Sequence, residues 1–154
     1  MTVPAGDAVL FERYPSTPID HDNKDFYRGL LDRRLMLNRC ADCGRWHNPP
    51  LPMCPACWST DVRATQVSGD GTVYLLTLMH QGPPTPGVDY STPYPVAAVE
   101  LAEQAGLRFT SSIVNCDPAR LHIGMAVRVT WQLREGNPFP LFEPAPGSGG
   151  PARP

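Results

Sequence analysis

The stretch that decides the fold is "CADCGRWHNPPLPMCPAC", Cys40 to Cys57, in which ten residues separate two Cys-x-x-Cys pairs. A turn with two residues between its thiolates lets both sulfurs reach one ion at ~2.3 Å, and two such turns complete a tetrahedral shell of four sulfurs. Zinc prefers such a shell and has no redox chemistry of its own. The spacing therefore predicts a structural zinc site with the ligands Cys40, Cys43, Cys54 and Cys57.

Other uses of these four cysteines compete with zinc. Iron in a rubredoxin-like site has the same shell of four thiolates, and disulfide or redox chemistry also needs paired cysteines. A thioredoxin-type motif, however, has a single Cys-x-x-Cys at the start of a helix, whereas this segment has two pairs flanked by prolines. Four thiolates leave no position for water, so we expect the metal to fold a segment of roughly 25 residues and not to catalyse.

His47 and Cys116 are the other residues that a metal could use. His47 lies inside the cysteine segment and could replace a ligand, but four cysteines already complete the shell, so we expect it at the surface. Cys116 has no second cysteine close to it in the sequence. We expect it to be a small apolar filler at the end of a strand.

The composition is typical of a β-rich domain with many loops. With 13 glycines and 19 prolines among 154 residues, about one residue in five resists a long helix, and the hydrophobic fraction of 42% is enough for a core. A formal net charge of -2 gives no basic surplus for binding nucleic-acid phosphates. This composition argues against a nucleic-acid partner.

The N-terminus, "MTVPAGDAVLFERYPSTP", has neither the basic nor the apolar region of a signal peptide. No apolar run reaches the ~18 to 20 residues of a membrane span. We therefore expect a cytoplasmic protein without a membrane partner, in a compartment where thiols stay reduced and structural disulfides are rare.

A helix is predicted from "DHDNKDFYRGLLDRRLML", because Phe26, Leu30 and Leu31 recur at helical spacing and Asp22 is a suitable N-cap. Gly29 should weaken this helix by about 1 kcal/mol relative to alanine. The predicted organisation of the chain is an extended arm at 1–19, the helix at 20–36, the zinc ribbon at 37–64, an OB-fold at 65–144 and a disordered tail at 145–154.

Four strand-like runs follow the cysteines, at residues 71–80, 94–101, 107–114 and 126–134, and "PLFEP" near Leu141 adds a fifth. The run "AVRVTWQLR" alternates apolar and polar residues, as expected of a half-buried strand. The segment "DPARLHIG" before it indicates a short helical turn that ends at Gly124. The predicted fold class is mainly β with an N-terminal helix: a four-cysteine zinc ribbon followed by a five-stranded OB-fold barrel.

The order of a helix, a four-cysteine ribbon and a small barrel is specific in combination. With "RRLMLNRCADCGRWHNPPLPMCPAC", "GDGTVYLLTLMH" and "DPARLHIGMAVRV", the chain resembles the family called domain of unknown function 35 over roughly residues 22–143. That resemblance implies a rubredoxin-like zinc ribbon joined to an OB-fold. It also implies a partner, since members of the family form complexes with thiolase-superfamily enzymes, among them an actinobacterial thiolase-like aldolase that cleaves steroid side-chain acyl-CoA thioesters.

The function implied by the resemblance is a non-catalytic accessory subunit of a thiolase-like enzyme, in particular a retro-aldolase acting on a steroid side-chain acyl-CoA. The acyl-CoA would then lie at the interface with the partner in a hetero-oligomer. Alternatives are a single-stranded nucleic-acid-binding protein and a free-standing acyl-CoA-binding protein. No catalytic residue is predicted in this chain, because its four histidines are scattered and no phosphate-binding glycine loop is present.

Two surfaces are candidates for contacts. The loop "QGPPTPGVDYSTPYP" (81–95) is stiffened by prolines, so it suits a docking surface or channel wall as well as it suits a solvent-exposed loop. Four arginines near the helix could contact a CoA phosphate, although a solvated helix face is the simpler interpretation: Arg28, Arg33, Arg34 and Arg39.

Overall fold

The computed structural model describes residues 5–147, and the chain divides after Gln66 into two compact units. The N-terminal unit contains two helices and a three-stranded sheet. Its elements are α1 (Ala5–Arg13), α2 (Lys24–Leu31), β1 (Met36–Cys40), β2 (Trp46–His47) and β3 (Val62–Gln66).

The first helix contradicts the predicted extended arm at 1–19, because Ala5–Arg13 is α-helical. Its apolar residues are consecutive in the sequence, which hides the helical period, and one of them, Leu10, is fully buried. Contacts with α2 hold the helix in place: Asp7 forms ion pairs with Arg28 and Lys24 of that helix. The arm is therefore helical because of tertiary contacts that local sequence does not display.

The second helix is shorter than the predicted span 20–36, since it covers Lys24–Leu31, and its N-cap is Asn23 and not Asp22. The helix ends where Arg33 adopts a positive φ of 55°. Gly29 was expected only to weaken the helix, but a Cβ there would lie 2.4 Å from Cγ of Met36 and 2.8 Å from the carbonyl oxygen of Arg34. Glycine is thus required by the close return of the chain into β1.

The sheet of the N-terminal unit has the order β2-β1-β3, and both pairings are antiparallel. Strand β1 is central, and Asn38 lies opposite His47 on one side and Ala64 on the other. Leu37 is almost completely buried, as is Cys40 at the end of the strand. The sheet therefore leads directly into the first cysteine pair.

The second unit contains a five-stranded antiparallel sheet with the order β6-β5-β4-β7-β8. A short 3-10 turn, Pro118–Arg120, precedes the fourth of these strands, where a helical turn was predicted. The strands are β4 (Asp70–Met79), β5 (Tyr94–Leu101), β6 (Arg108–Ser112), β7 (Ala126–Arg134) and β8 (Asn137–Pro144).

Contacts between β6 and β8 nearly close this sheet into a barrel. Ile113 forms a parallel bridge with Phe142, whose carbonyl oxygen accepts a hydrogen bond of 2.8 Å from the amide of Val114. The hydroxyl of Ser111 also donates to the carbonyl oxygen of Pro140, at 2.6 Å. A five-stranded barrel with a turn before its fourth strand is the OB-fold, so the predicted fold class is confirmed.

The core of the barrel follows the alternation of its strands. Along β5 every second residue is buried, and Ala97, Val99 and Leu101 are at most 2% exposed. Phe142 is the largest fully buried side chain of the barrel. Part of the predicted tail, residues 148–154, lies outside the described residues. Among residues 5–147, the helices are all too short to cross a bilayer.

Candidate metal centre

The first cysteine pair forms a tight knuckle at the end of β1. The amide of Gly44 donates to the carbonyl oxygen of Cys40 at 3.0 Å, and the amide of Cys40 donates to the carbonyl oxygen of Arg45 at 2.9 Å. Gly44 has a φ of 74°, a conformation that glycine adopts without steric cost. A backbone angle that favours glycine therefore follows the second cysteine of the pair.

The second knuckle repeats this bonding pattern around a different residue. The amide of Trp58 donates to the carbonyl oxygen of Cys54 at 3.0 Å. The amide of Cys54 donates to the carbonyl oxygen of Ser59 at 2.9 Å. Trp58 has a φ of 67°, so it takes the conformation of Gly44 despite its bulky side chain. The tryptophan therefore leaves the backbone of the second knuckle unchanged.

The two knuckles bring the four predicted ligands together. Their Sγ atoms all lie within 4.8 Å of one another, with 3.6 Å between Cys40 and Cys57 and 3.6 Å between Cys43 and Cys54. A tetrahedron with zinc–sulfur bonds of ~2.3 Å has sulfur atoms roughly 3.8 Å apart, so the spacing fits a zinc ion. Two ligands, Cys40 and Cys54, are buried and the other two are exposed.

The electrostatics of the cluster also favour a bound cation. A hydrogen bond from the backbone amide of Cys43 lowers the pKa of Cys40 to about 7. The amide of Ser59 favours the Cys57 thiolate, but interactions with Cys43, burial and the other cysteines outweigh it and raise the pKa of Cys57 to about 12. Four thiolates repel one another strongly at these distances unless a positive charge lies between them, and a divalent ion would supply that charge.

His47 was expected at the surface, and that expectation is wrong. It lies on β2 with only 8% of its surface exposed, and neither ring nitrogen has a hydrogen-bond partner among the described residues. Burial lowers the pKa of His47, and an interaction with the backbone of Leu51 opposes this shift only in part. His47 is buried because β2 pairs with β1, where it lies opposite Asn38. Its position between the two cysteine pairs in the sequence did not indicate this pairing.

The remaining cysteine lies outside the cluster. Cys116 is half-buried in the segment after β6, where its Sγ is 3.5 Å from the carbonyl oxygen of Asp117.

One buried polar residue of the ribbon was not predicted from the sequence: Asn38, in the middle of β1, is only 8% exposed. In the sequence, Asn38 stands in the strand-like run "LMLNRC" beside the equally polar Arg39, and nothing there distinguishes the buried residue from the exposed one.

The candidate phosphate-binding arginines do not converge on one site. Arg28 pairs with Asp7 and Asp25, and Arg34 pairs with Asp32 at 3.2 Å. Arg39 lies over the ring of Trp46 and donates to the carbonyl oxygen of Gly44. These contacts support the simpler interpretation of the arginines as structural and surface residues, and Arg33 occupies the left-handed position after α2.

The aromatic side chains of the barrel are held by internal contacts. Arg108 lies 3.5 Å from the ring centre of Tyr74 and also faces Glu100. Arg128 pairs with Glu143, whose pKa is lowered by a hydrogen bond from Asn115 and by this arginine. A nucleic-acid groove needs uncompensated cations beside its aromatic side chains, and these arginines face carboxylates.

The proline loop connects β4 and β5 and is mostly exposed. Tyr90 within it packs edge-on against Tyr94, with 6.0 Å between ring centres. The hydroxyl of Tyr94 accepts a hydrogen bond of 2.8 Å from Arg134, at the end of β7. The loop is thus anchored by its tyrosines and presents its prolines outward.

Both units match models of known domain families. Residues 28–63 match the model described as the ChsH2 rubredoxin-like zinc ribbon domain. Residues 64–132 match the model described as the ChsH2 C-terminal OB-fold domain. The border between the two matches falls within β3, close to the division between the units.

Among curated proteins, the chain is 37% identical over 134 residues to a probable enoyl-CoA hydratase alpha subunit of Thermomonospora curvata. It is 36% identical over 113 residues to the 3-oxo-4,17-pregnadiene-20-carboxyl-CoA hydratase alpha subunit of Mycobacterium tuberculosis. It covers only 40% and 33% of these two relatives. A DUF35 domain-containing scaffold protein of Methanocaldococcus jannaschii is 32% identical, with 69% of this chain and 74% of that protein aligned.

Among solved structures, the chain is similar to one described as the Ltp2-ChsH2(DUF35) aldolase. The TM-score is 0.73 and the sequence identity is 35%. The match covers 83% of this chain and 98% of the other chain. The similarity therefore includes both the ribbon and the barrel.

Proposed function

Because this chain belongs to the DUF35 family, we propose that it is a non-catalytic accessory subunit of a thiolase-like retro-aldolase that cleaves a carbon–carbon bond in a steroid side-chain acyl-CoA. The observation that carries the proposal is the likeness to a chain of the structure described as the Ltp2-ChsH2(DUF35) aldolase, which extends over 98% of that chain at 35% identity. The steroid substrate has support from the pregnadiene-carboxyl-CoA in the name of the mycobacterial relative.

Within such a complex, Cys40, Cys43, Cys54 and Cys57 would hold one structural zinc ion. The ion would supply folding energy to the N-terminal unit, whose three short strands are too few for an independent core. A shell filled by four thiolates takes no part in bond cleavage. The acids and bases of the reaction would therefore belong to the partner.

The placement of the histidines supports a non-catalytic role. His21 precedes α2, His47 lies on β2, His80 follows β4 and His122 follows the 3-10 turn. They belong to four separate segments, and His47 is buried. An active site needs a base within hydrogen-bond reach of a second catalytic group, an arrangement that this scatter does not favour.

The acyl-CoA would contact this chain where it meets the partner. The exposed proline loop of the barrel and the half-buried residues of α2 are the candidate contact surfaces. Prolines limit the freedom that the loop loses on binding, which makes it suitable as a docking edge or as part of a channel wall.

Co-expression with thiolase-like proteins of the same organism tests the proposal. The tagged chain should co-purify with one of them as a hetero-oligomer in size-exclusion chromatography with light scattering. The reconstituted pair, but neither chain alone, should cleave a steroid side-chain acyl-CoA, followed by mass spectrometry. If no thiolase-like protein co-purifies and the chain remains a monomer, the proposal fails.

A second candidate partner is a hydratase, because two relatives are hydratase alpha subunits. Parallel co-expression with hydratase-like beta subunits separates the two possibilities by which protein is retained. The nucleic-acid alternative is tested with a labelled single-stranded oligonucleotide at micromolar protein concentration. Binding that weakens steeply with salt would support that alternative over the accessory subunit.

A further inference from the structure

A cavity of about 330 Å³ lies within the N-terminal unit, on the face of the ribbon sheet that carries Asn38. Ala64 is the cross-strand partner of Asn38, and Val62 lies two residues before it on the same face. The cavity lies at the lower end of the size range of small-molecule sites. Its floor and walls include Asn38, Leu51, Pro52, Thr60, Val62 and Ala64.

Asn38 is the unusual residue of this cavity. It is only 8% exposed, and its side-chain amide forms no hydrogen bond with any residue in the range 5–147. Its cross-strand neighbour His47, also buried, has two ring nitrogens without partners in the same range. The side chain of Asn38 lines the cavity, so its amide can exchange hydrogen bonds with water or with a molecule that enters. An amide retained there is therefore available to a ligand that enters the cavity.

The charges around the cavity disfavour an anionic ligand. Lys24 faces Asp7 at 3.7 Å, and Arg28 holds Asp25 at 2.8 Å. Arg63 binds Asp61 through two hydrogen bonds of 2.7 and 2.8 Å. Each of these three cations is already paired within the chain, and the carboxylate of Asp22, which also lines the cavity, lies 3.4 Å from Nδ1 of His21. An anionic ligand would have to displace one of the existing pairs.

We propose that this cavity binds a neutral secondary amide that carries a small apolar group. The side chain of Asn38 offers one acceptor and two donors, and so it can both give a hydrogen bond to an amide carbonyl and accept one from the amide N–H. Leu51, Pro52 and Val62 supply apolar surface for the substituent. Such an amide occurs in a peptide segment of another protein and in small amide-containing metabolites.

Titrations of the full zinc-loaded chain, followed by ¹H–¹⁵N NMR, test the proposal. The two amide probes are N-acetyl-L-leucine N-methylamide, which represents a peptide, and N-isopropylbutyramide, which represents a small molecule. Isopropyl butyrate is the matched ester without the N–H, and butyrate is the anionic control. Either amide should shift the Asn38 side-chain resonances saturably, with a Kd on the order of 1 mM, and the ester should bind about fivefold more weakly or worse.

The variant Asn38→Leu separates a binding role from a structural one. It should raise the Kd of the amide about tenfold and leave the melting temperature nearly unchanged, because no side-chain hydrogen bond within residues 5–147 is lost. If this variant does not fold, Ala64→Leu fills the cavity from the opposite strand and should abolish binding. Gln66→Leu is its matched control, since Gln66 is exposed on the same strand and does not line the cavity.

The results of these titrations and variants support or overturn the amide-binding proposal. Tighter binding of the leucine amide assigns the site to a peptide segment, and tighter binding of the butyramide assigns it to a small molecule. The proposal is overturned by the absence of saturable shifts up to about 20 mM amide, by equal binding of ester or butyrate, or by an Asn38→Leu variant that melts earlier but binds normally. None of these results bears on partner co-purification, so this proposal and the accessory-subunit proposal fail independently.

Discussion

The two knuckles of the zinc ribbon share one backbone and differ in the residue at its most demanding position. Gly44 and Trp58 both have a positive φ, 74° and 67°, and their amides make equivalent hydrogen bonds to the first cysteine of each pair. Glycine takes this conformation freely, whereas an L side chain costs roughly 1 to 2 kcal/mol there. Trp58 is also 77% exposed and gains little from burial. The knuckle geometry is therefore required by the placement of the four sulfurs, whichever residue follows them.

The largest expected effect comes from removing one ligand from either knuckle. Cys40→Ser and Cys54→Ser should both abolish tight zinc binding and unfold the N-terminal unit, because structural zinc contributes roughly 10 kcal/mol or more to such small folds. Metal analysis and NMR of the two variants would measure this. Cys116→Ser is the matched control and should retain one zinc ion per chain.

Barrel resonances should survive in both ligand variants, because the core around Phe142 belongs to the second unit. Retention of a folded ribbon after loss of the metal would contradict a structural role for the cysteine cluster. A difference between the two variants would show that the knuckles are not equivalent.

The next largest effect is the dependence of zinc affinity on pH. Zinc displaces protons from thiols, and the pKa of Cys57 in the metal-free cluster is about 12. Affinity should therefore rise at least about tenfold per pH unit between about pH 6 and pH 8, measured by competition with a chromophoric chelator. A pH-independent affinity would show that thiolates are not the ligands.

Gly44→Ala should destabilise the first knuckle by about 1 to 2 kcal/mol. An added Cβ meets only the end of the Arg39 side chain, at 3.7 Å, so the cost arises from the positive φ and not from crowding. Chemical denaturation of the zinc-loaded chain measures the loss. Gly6→Ala in α1, where the Cβ would meet nothing within 4 Å, is the control and should be neutral or stabilising. A neutral Gly44→Ala would mean that the first knuckle tolerates side chains as the second does.

Trp58→Gly should have the smallest effect and the opposite sign, raising the free energy of unfolding by up to about 1 kcal/mol. The change relieves the positive φ and removes an exposed indole that contributes little to the core. The same denaturation experiment measures it, with Trp58→Ala as the control that keeps the strain. If Trp58→Gly destabilises the chain, the indole makes a contact that its exposure does not reveal.

Sequence reasoning succeeded where a pattern has one physical solution. The spacing of Cys40, Cys43, Cys54 and Cys57 placed them in one cluster, and the alternation of apolar residues indicated the strands of the barrel. It was wrong for the N-terminal arm, whose helix depends on the ion pairs of Asp7 with α2. These ion pairs join residues more than fifteen positions apart in the sequence, and the local periodicity of apolar residues does not indicate such contacts.

The sequence by itself determined which four sulfurs meet, the order of the ribbon and the barrel, and the family, because metal-ligand spacing and strand alternation are local rules. Only the tertiary structure decided the burial of His47, the unpaired amide of Asn38 beside a cavity and the need for Gly29 against Met36. These features depend on which face of a strand is covered and how closely two segments approach. That information arises when the elements pack together.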